Sequence, residues 1–394
     1  MSTATARRLK LYALRHLHLR ELLHRPGDGR RWPQIPASEL VWALLMGFVL
    51  RETSFHGVEA LVRSAARRAL AVARRFGEDT LAYFTERLDP TPIRAFLVRI
   101  VRQAKRRKTF GPWIGLALDG TSAGRSKDAH CSLCRPFFNA DHELCGHHHY
   151  CSLLSVVGTG LSLPIDVEPY GPDDSEAAAS LRLLERALPQ LGRRFADYVV
   201  VDGLYASAPW LSKLTAWGLP ALVRLKANLP QLLAAAQERF AAAPPSCHIK
   251  RGRDQVELWD ASDFDPWDGL PWPTVRVVRY RQHKPNGEVV EAYWLTNLAW
   301  QRVGTGQLYD MAKSRWEIEN EGFNDAKNRY GMAHIAHHHA NSVLVRWLHL
   351  LLALNLERLY RLRYLHRGSH PPWTPMELLR QLRLSLCPLS PDTS

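Results

Sequence analysis

The sequence predicts an α/β protein: a mixed sheet with an antiparallel hairpin at its start, an all-helical segment before it, and a β-rich insertion within it. Three observations predict this. Apolar residues recur at helical spacing through residues 38–108. From Trp113 the pattern changes to strand, strand, strand, helix, strand, helix, strand, the order of a mixed α/β sheet. Charge divides at the same place. The 394-residue chain carries a net +14, with 22 basic and 9 acidic groups in residues 1–110 against 30 and 29 in the remainder.

In the first segment Leu40, Leu44, Leu45, Phe48 and Val49, then Val58, Leu61 and Val62, mark helix faces. Ser38-Glu39 and Asp79-Thr80 supply helix starts, and Lys105-Arg106-Arg107-Lys108 closes the segment as a basic linker. Trp113–Leu118 reads as the first sheet strand and ends in Asp119-Gly120-Thr121. Ser152–Val157 and Leu161–Val167 flank Gly158-Thr159-Gly160 as a hairpin, and Ser175–Leu191 is an amphipathic helix. Tyr198–Val201 is a fourth strand ending in Asp202-Gly203, and a helix and the strand Leu219–Leu225 follow. After Lys226 come short β-type runs at Val256–Trp259, Val275–Tyr280 and Val289–Thr296, with Pro285-Asn286-Gly287 as a turn. Helical texture returns from Leu308 to Tyr360. The expected organisation is a helical, basic domain (1–110), a first part of the α/β core (111–225), a β-rich insertion (226–300), a helical end of the core (301–365) and a Pro-rich tail (366–394).

Composition excludes several classes. Apolar residues make up 46% and charged residues 23%, values of an ordinary globular chain rather than a disordered or collagen-like one. The apolar runs Leu40–Leu50 and Leu348–Leu356 are too short to cross a bilayer. The first twenty residues lack the clean apolar stretch of a signal peptide, and six cysteines in this length are no disulfide scaffold, so a reducing cytoplasmic setting is expected. The positive excess of the first 110 residues predicts a polyanion partner whose binding weakens with salt. Phosphate-binding loops of the G-x-x-x-x-G-K type, dinucleotide fingerprints and a Ser-His-Asp context are absent from the sequence.

Three carboxylates stand at meaningful places: Asp119 and Asp202 at strand ends, Glu319 in the helix after the insertion. Alone, an Asp-Gly at a strand end is most often a turn. Together, two acids at the carboxyl ends of neighbouring strands and a third from a crossing helix make an all-oxygen site suited to Mg²⁺ or Mn²⁺. Two such ions can drive in-line attack at phosphorus. Such a site explains why an acidic cluster belongs in a basic protein. Glu317 and Glu321 compete with Glu319 for the third place. Arg224 and Lys226 end the fifth strand near the same edge and can contact phosphate, whereas Glu168, Asp173, Asp174 and Glu176 read as surface or helix-start groups.

The segments LALDGT (116–121), VVVDGLYAS (199–207), YWLTNL (293–298) and SRWEIENEGFNDAK (314–327) resemble those of bacterial insertion-sequence DDE transposases. The resemblance is to the group whose third motif reads R-W-x-I-E. It covers residues 40–360 and implies a ribonuclease-H-like core with a β-rich insertion before the Glu. It implies that Asp119, Asp202 and Glu319 hold two Mg²⁺ (or Mn²⁺) ions, that transposon ends are cleaved, and that the freed 3′-hydroxyls are joined to target DNA. It also implies terminal inverted repeats and target duplex as partners, a homo-oligomer on DNA, and a bacterial, nucleoid-associated location. Many members place a Lys seven residues after the Glu and a Tyr three before the Arg. Here those positions are Ala326 and Ala312, with Lys327 one residue later and Tyr309 the nearest Tyr. Arg315 and Lys327 are expected to flank the acids, and Arg106 and Arg107 to contact DNA. Two other readings share these features: a nuclease of the same core without strand transfer, and a catalytically idle transposase-derived DNA-binding protein.

Cys131 and Cys134 form a C-x-x-C, followed by Cys145, His147, His148, His149 and Cys151. This spacing can close a tetrahedral structural zinc site. The first two cysteines with Cys145 and either one His or Cys151 are the candidate ligands.

Overall fold

The computed structural model describes residues 3–158, 160–365 and 373–386. The core sheet is laid down by β1 (Gly115–Ser126), β2 (Arg135–Phe138), β3 (Leu144–Val157), β4 (Leu163–Tyr170), β5 (Tyr198–Val201) and β6 (Ala221–Leu225). It is continued by β7 (Cys247–Arg251), β8 (Asp254–Phe264), β9 (Val275–His283) and β10 (Val289–Thr296). All ten form one sheet in the order β2-β3-β1-β5-β6-β10-β9-β8-β7, with β4 beside β3.

Local sequence explains the central placements. The run Tyr-Val-Val-Val of β5 is fully buried, as a strand covered on both faces requires, and it pairs in parallel with both β1 and β6. Parallel pairing demands crossovers, and the helices Glu176–Leu191 and Ala208–Ala216 lie in them. The first of these starts at Ser175, whose Oγ accepts the Ala178 N–H at 3.2 Å, and stops at Gly192 with φ 87°. β3 runs antiparallel to β1, with β4 on its far side. The arrangement β4-β3-β1-β5-β6 with helices between is a ribonuclease-H-like core, preceded by an all-helical N-terminal region.

The β-rich insertion continues this sheet. β10 pairs antiparallel with β6, from Tyr293–Leu225 to Thr296–Leu222, and β9, β8 and β7 follow as a meander. Arg276, buried, ties it to the helical end of the core. The guanidinium meets Asp260 Oδ2 at 2.5 Å and donates to the carbonyls of Leu298 and Val303 at 3.1 and 2.8 Å. β2 and β7 were not foreseen, because they are four and five residues long and alternate only between half-buried and exposed positions.

Helix Ala340–Tyr360 is buried along nearly its whole length, between helix Ala37–Val49 on one side and β4 on another. The N-terminal helices and the sheet therefore share one hydrophobic core. The helical texture expected from Leu308 to Tyr360 is interrupted twice, by a π-helical turn at Ile318–Phe323 and by a turn-rich loop at 331–339. Of the expected Pro-rich tail, residues 375–386 form a helix, whereas 366–372 and 387–394 lie outside the described residues. Among the described residues no helix is long and apolar enough to cross a membrane.

Candidate active site

β1 and β5 pair in the register Gly115–Tyr198, Leu116–Val199, Ala117–Val200. Continued two residues further, that register sets Asp119 level with Asp202 on strands about 4.8 Å apart. Both carboxyl groups therefore leave the same edge of the sheet. Asp119 is not a turn residue: β1 continues through it to Ser126, with a bulge between Ser122 and Arg125.

Helix Thr305–Lys313 leads into Arg315–Glu317 and the π turn, which carry the third acid to that edge. Arg315 is buried, and its Nη1 lies 2.7 Å from Glu319 Oε1 and 3.7 Å from Asp119 Oδ2. One guanidinium thus faces two carboxylates. Glu317 instead accepts the N–H groups of Gly158 and Gly160, both at 2.9 Å, and Glu321 accepts that of Ser162 at 3.1 Å. The N–H groups of the β3–β4 turn thus hold Glu317 and Glu321, whereas Glu319 shares Arg315 with Asp119.

The π turn also accounts for the displaced lysine. A π turn takes up one residue more than an α turn. Lys327, eight residues after Glu319, is thereby brought over β1, where its Nζ donates to Thr121 Oγ1 at 2.5 Å. Burial pulls the Lys327 ammonium below its ordinary pKa, opposed by Cys151 and Asp119. Ala326, at the customary lysine position, is fully buried.

A fourth carboxylate belongs to this edge. Glu176, the first residue of its helix, accepts the Tyr205 hydroxyl at 2.7 Å on Oε1. A Cβ at Gly120 would overlap its Oε2. A side chain at position 120 would therefore force Glu176 to shift. An acid at a helix start has an ordinary explanation in the helix dipole, and its nearness to Asp119 arises from how the helix crosses the sheet. The Gly after Asp119, unnecessary within a continuous strand, was the available sequence signal.

Charge at the edge is unevenly balanced. Asp119 is pushed up to about 7, chiefly by burial, with Arg315 opposing and the Glu176 and Glu319 carboxylates adding to the rise. Burial also raises Glu176, against the pull of the Tyr205 hydrogen bond. Burial acts to raise Asp202 too, but Lys226 and the Gly203 N–H outweigh it and hold the group below the usual carboxylate range. Lys226 Nζ lies 2.7 Å from Asp202 Oδ2 in a partly exposed pair. The carboxylate oxygens are held by these cations rather than gathered. Among the described residues the groups with all ligand atoms within 4.8 Å are Cys131/Cys134/His149/His338 and the surface set His56/Glu59/Glu78. Four carboxylates nonetheless supply the hard oxygen donors that Mg²⁺ or Mn²⁺ takes, and the raised Asp119 marks buried negative charge that a cation relieves. The donor set fits such ions.

Arg224 lies near this edge, its guanidinium 5.8 Å from the ring centres of both Trp294 and Trp316. Arg106 and Arg107 are not brought here. They are exposed at the end of helix Thr91–Arg106, and the neighbouring Lys105 donates to the carbonyls of Arg194 and Phe195 ahead of β5. That is the opposite end of β1 and β5 from Asp119 and Asp202. Two of the expected zinc ligands are also displaced. Cys145 is exposed at the start of β3, and Cys151 is buried beside the core with its thiol pushed far up by burial. β3 carries both away from Cys131 and Cys134.

The sheet is ribonuclease-H-like, and one edge of it carries Asp119, Asp202 and Glu319. The profile described as Transposase DDE domain matches residues 114–356, more than half of the chain, and the chain belongs to this family. No curated protein matches it significantly. Among solved structures it is similar to a piggyBac transposase synaptic complex with hairpin DNA, determined by cryo-EM. The TM-score is 0.44 at 12% identity, covering 93% of this chain and 77% of that one.

Proposed function

We propose that this protein is a DNA transposase of the insertion-sequence type: it binds the terminal repeats of an element, cleaves there, and joins the 3′-hydroxyl ends to target DNA. The observation that carries this reading is the shared register that sets Asp119 level with Asp202, with Arg315 linking Asp119 to Glu319. Asp119, Asp202 and Glu319, with Glu176 at their margin, would hold two divalent ions. When bound, these supply positive charge for the leaving oxygen and lower the pKa of the attacking water or hydroxyl.

The remaining work falls to the chain's own side chains. In each step one P–O bond forms as another breaks, so the site must hold a phosphodiester in line with its attacker. Lys327 and Arg224 offer cations on either side of the acids. The partly exposed Lys226–Asp202 pair is worth about 0–1 kcal/mol, so Lys226 can exchange the carboxylate for a phosphate at little cost. Arg315, already committed to two acids, positions Glu319. The insertion strands β7–β10 extend the same sheet beyond β6 and would line the DNA path, and the basic N-terminal helices would supply sequence-independent phosphate contacts.

The test uses the element's terminal repeats, a plasmid target, Mg²⁺ and the purified chain. Strand-specific cleavage at the repeat boundary and joining to plasmid are expected. Asp119→Asn, Asp202→Asn and Glu319→Gln should each lower both by at least about 100-fold, with end binding changed only a few-fold. Cleavage without joining would replace the reading by that of a nuclease. Binding without either reaction would identify an idle DNA-binding descendant.

A further inference from the structure

Cys131, Cys134, His149 and His338 meet from three separate segments, away from the carboxylates. The thiols come from the turn before β2, His149 from the middle of β3, and His338 from the 331–339 loop. One ligand atom of each lies within 4.8 Å of all the others. The Cys131 and Cys134 sulfurs are 3.8 Å apart, and His149 Nε2 lies 3.3 and 3.6 Å from them. We infer that these four residues bind one structural zinc ion that ties the loop beyond the first acid to the loop beyond the third.

The spacing is that of a tetrahedron. Bonds of about 2.3 Å to sulfur and about 2.0 Å to nitrogen place the sulfurs about 3.8 Å apart, and sulfur and nitrogen about 3.5 Å apart. A disulfide needs sulfurs about 2.05 Å apart, so the pair is not poised as one. The donor set is two thiolates and two imidazoles, soft and borderline ligands that select zinc over magnesium. The His130 N–H donates to Cys134 Sγ at 3.4 Å, and the Cys134 N–H closes a turn on the Cys131 carbonyl at 3.1 Å that sets the two thiols side by side. His149 is fully buried, although its neighbours His147 and His148 are not. The His130 ring packs edge-on to His338, with ring centres 4.8 Å apart. Four donors from the chain close the coordination sphere, the mark of a structural rather than a catalytic zinc.

The ion would cross-link segments about 200 residues apart in sequence. Thr121, close before the thiols in the chain, accepts Lys327, and His338 follows Lys327 in the next loop. The zinc and this hydrogen bond thus span the same pair of segments, so the ion braces the seam along which Asp119 and Glu319 face each other.

The experiment is elemental analysis of the full chain purified under reducing, chelator-free conditions, with Cys134→Ser, His338→Ala and Cys145→Ser alongside. About one zinc per chain is expected in the wild type and in Cys145→Ser, and loss of most of it in the two ligand variants. Cobalt(II) loading of the unmodified chain should give intense tetrahedral d–d bands and sulfur-to-cobalt charge transfer, a readout that does not depend on a variant folding. The inference is overturned by a wild type that carries no zinc after supplementation, by His338→Ala that keeps its metal, or by a weak octahedral cobalt spectrum.

Discussion

At the scale of single residues, Gly120 shows how one missing methyl shapes the acidic edge. Its Cα faces the Glu176 carboxyl so closely that any Cβ collides with Oε2. Glu176 is itself fixed by the Tyr205 hydroxyl at 2.7 Å, so it cannot yield without losing that bond. Gly120→Ala should therefore expel Glu176 from the edge and act as Glu176→Gln acts. If Glu176 supports the ions, both variants should raise the Mg²⁺ concentration for half-maximal cleavage about 10–100-fold, with the rate largely recovered at saturating metal. A metal titration of cleavage reads this. An unchanged midpoint in Glu176→Gln would leave that residue a merely structural role. The two aspartates were legible because an Asp-Gly pair after an apolar run is a local signal, although β1 does not end at Asp119 but runs on to Ser126. Glu176 and His338 were not, because their partners are brought by helix crossing and loop closure that no local pattern records, and the spacing left His149 one candidate among three histidines. Alternation along β3 did hold a hint: His149 and Cys151 share one face, and both are fully buried.

At the scale of elements, the π turn at Ile318–Phe323 decides which residue of the following helix reaches Thr121 on β1. Such turns leave no periodic trace in the sequence, so the offset of Lys327 read as a departure from the family pattern although the helix absorbs it. The same logic makes a counter-intuitive expectation. Lys327→Ala should weaken cleavage, because Thr121 loses its cation. Restoring the common spacing with Ala326→Lys in that background should not rescue it. Position 326 is fully buried, and an unpaired ammonium there costs several kcal/mol or shifts its pKa to shed the charge. The double variant should melt well below Lys327→Ala alone and cleave no better. Rescue of cleavage with an unchanged melting temperature would refute this account of the helix. Strands β8, β9 and β10 of the insertion were legible from β-branched runs, but β7 and the union of the insertion with the main sheet were not. It depends on β10 pairing with β6, a contact about 70 residues apart in sequence.

At the scale of the whole molecule, the helical N-terminal region and the ribonuclease-H-like sheet are joined by buried charge as well as by apolar packing. Arg51 Nη2 meets Glu357 Oε2 at 2.5 Å, and the Tyr330 hydroxyl donates to the same oxygen at 2.7 Å, with Arg51 stacked 3.7 Å from the Tyr330 ring centre. Arg346, buried in the same helix as Glu357, donates to the carbonyls of Thr53 and Gly331 at 2.8 and 2.7 Å. The network links the N-terminal helices, the chain just beyond Lys327 and the long central helix at one point. Breaking it from one side strands a buried charge, at a cost of about 3–5 kcal/mol. Glu357→Leu should destabilise the protein by that amount, whereas Arg51→Met combined with Glu357→Leu should recover much of the loss by replacing the pair with apolar groups. Urea unfolding, followed both by far-ultraviolet circular dichroism and by tryptophan fluorescence, measures the two effects. Because one core runs through helices and sheet, both probes should report a single coincident transition in the wild type. Separate transitions, or a double variant less stable than Glu357→Leu, would show that the N-terminal helices and the acidic edge are only loosely joined. A single transition and recovery in the double variant would mean that the charge of the first 110 residues is held in fixed register with the site it serves.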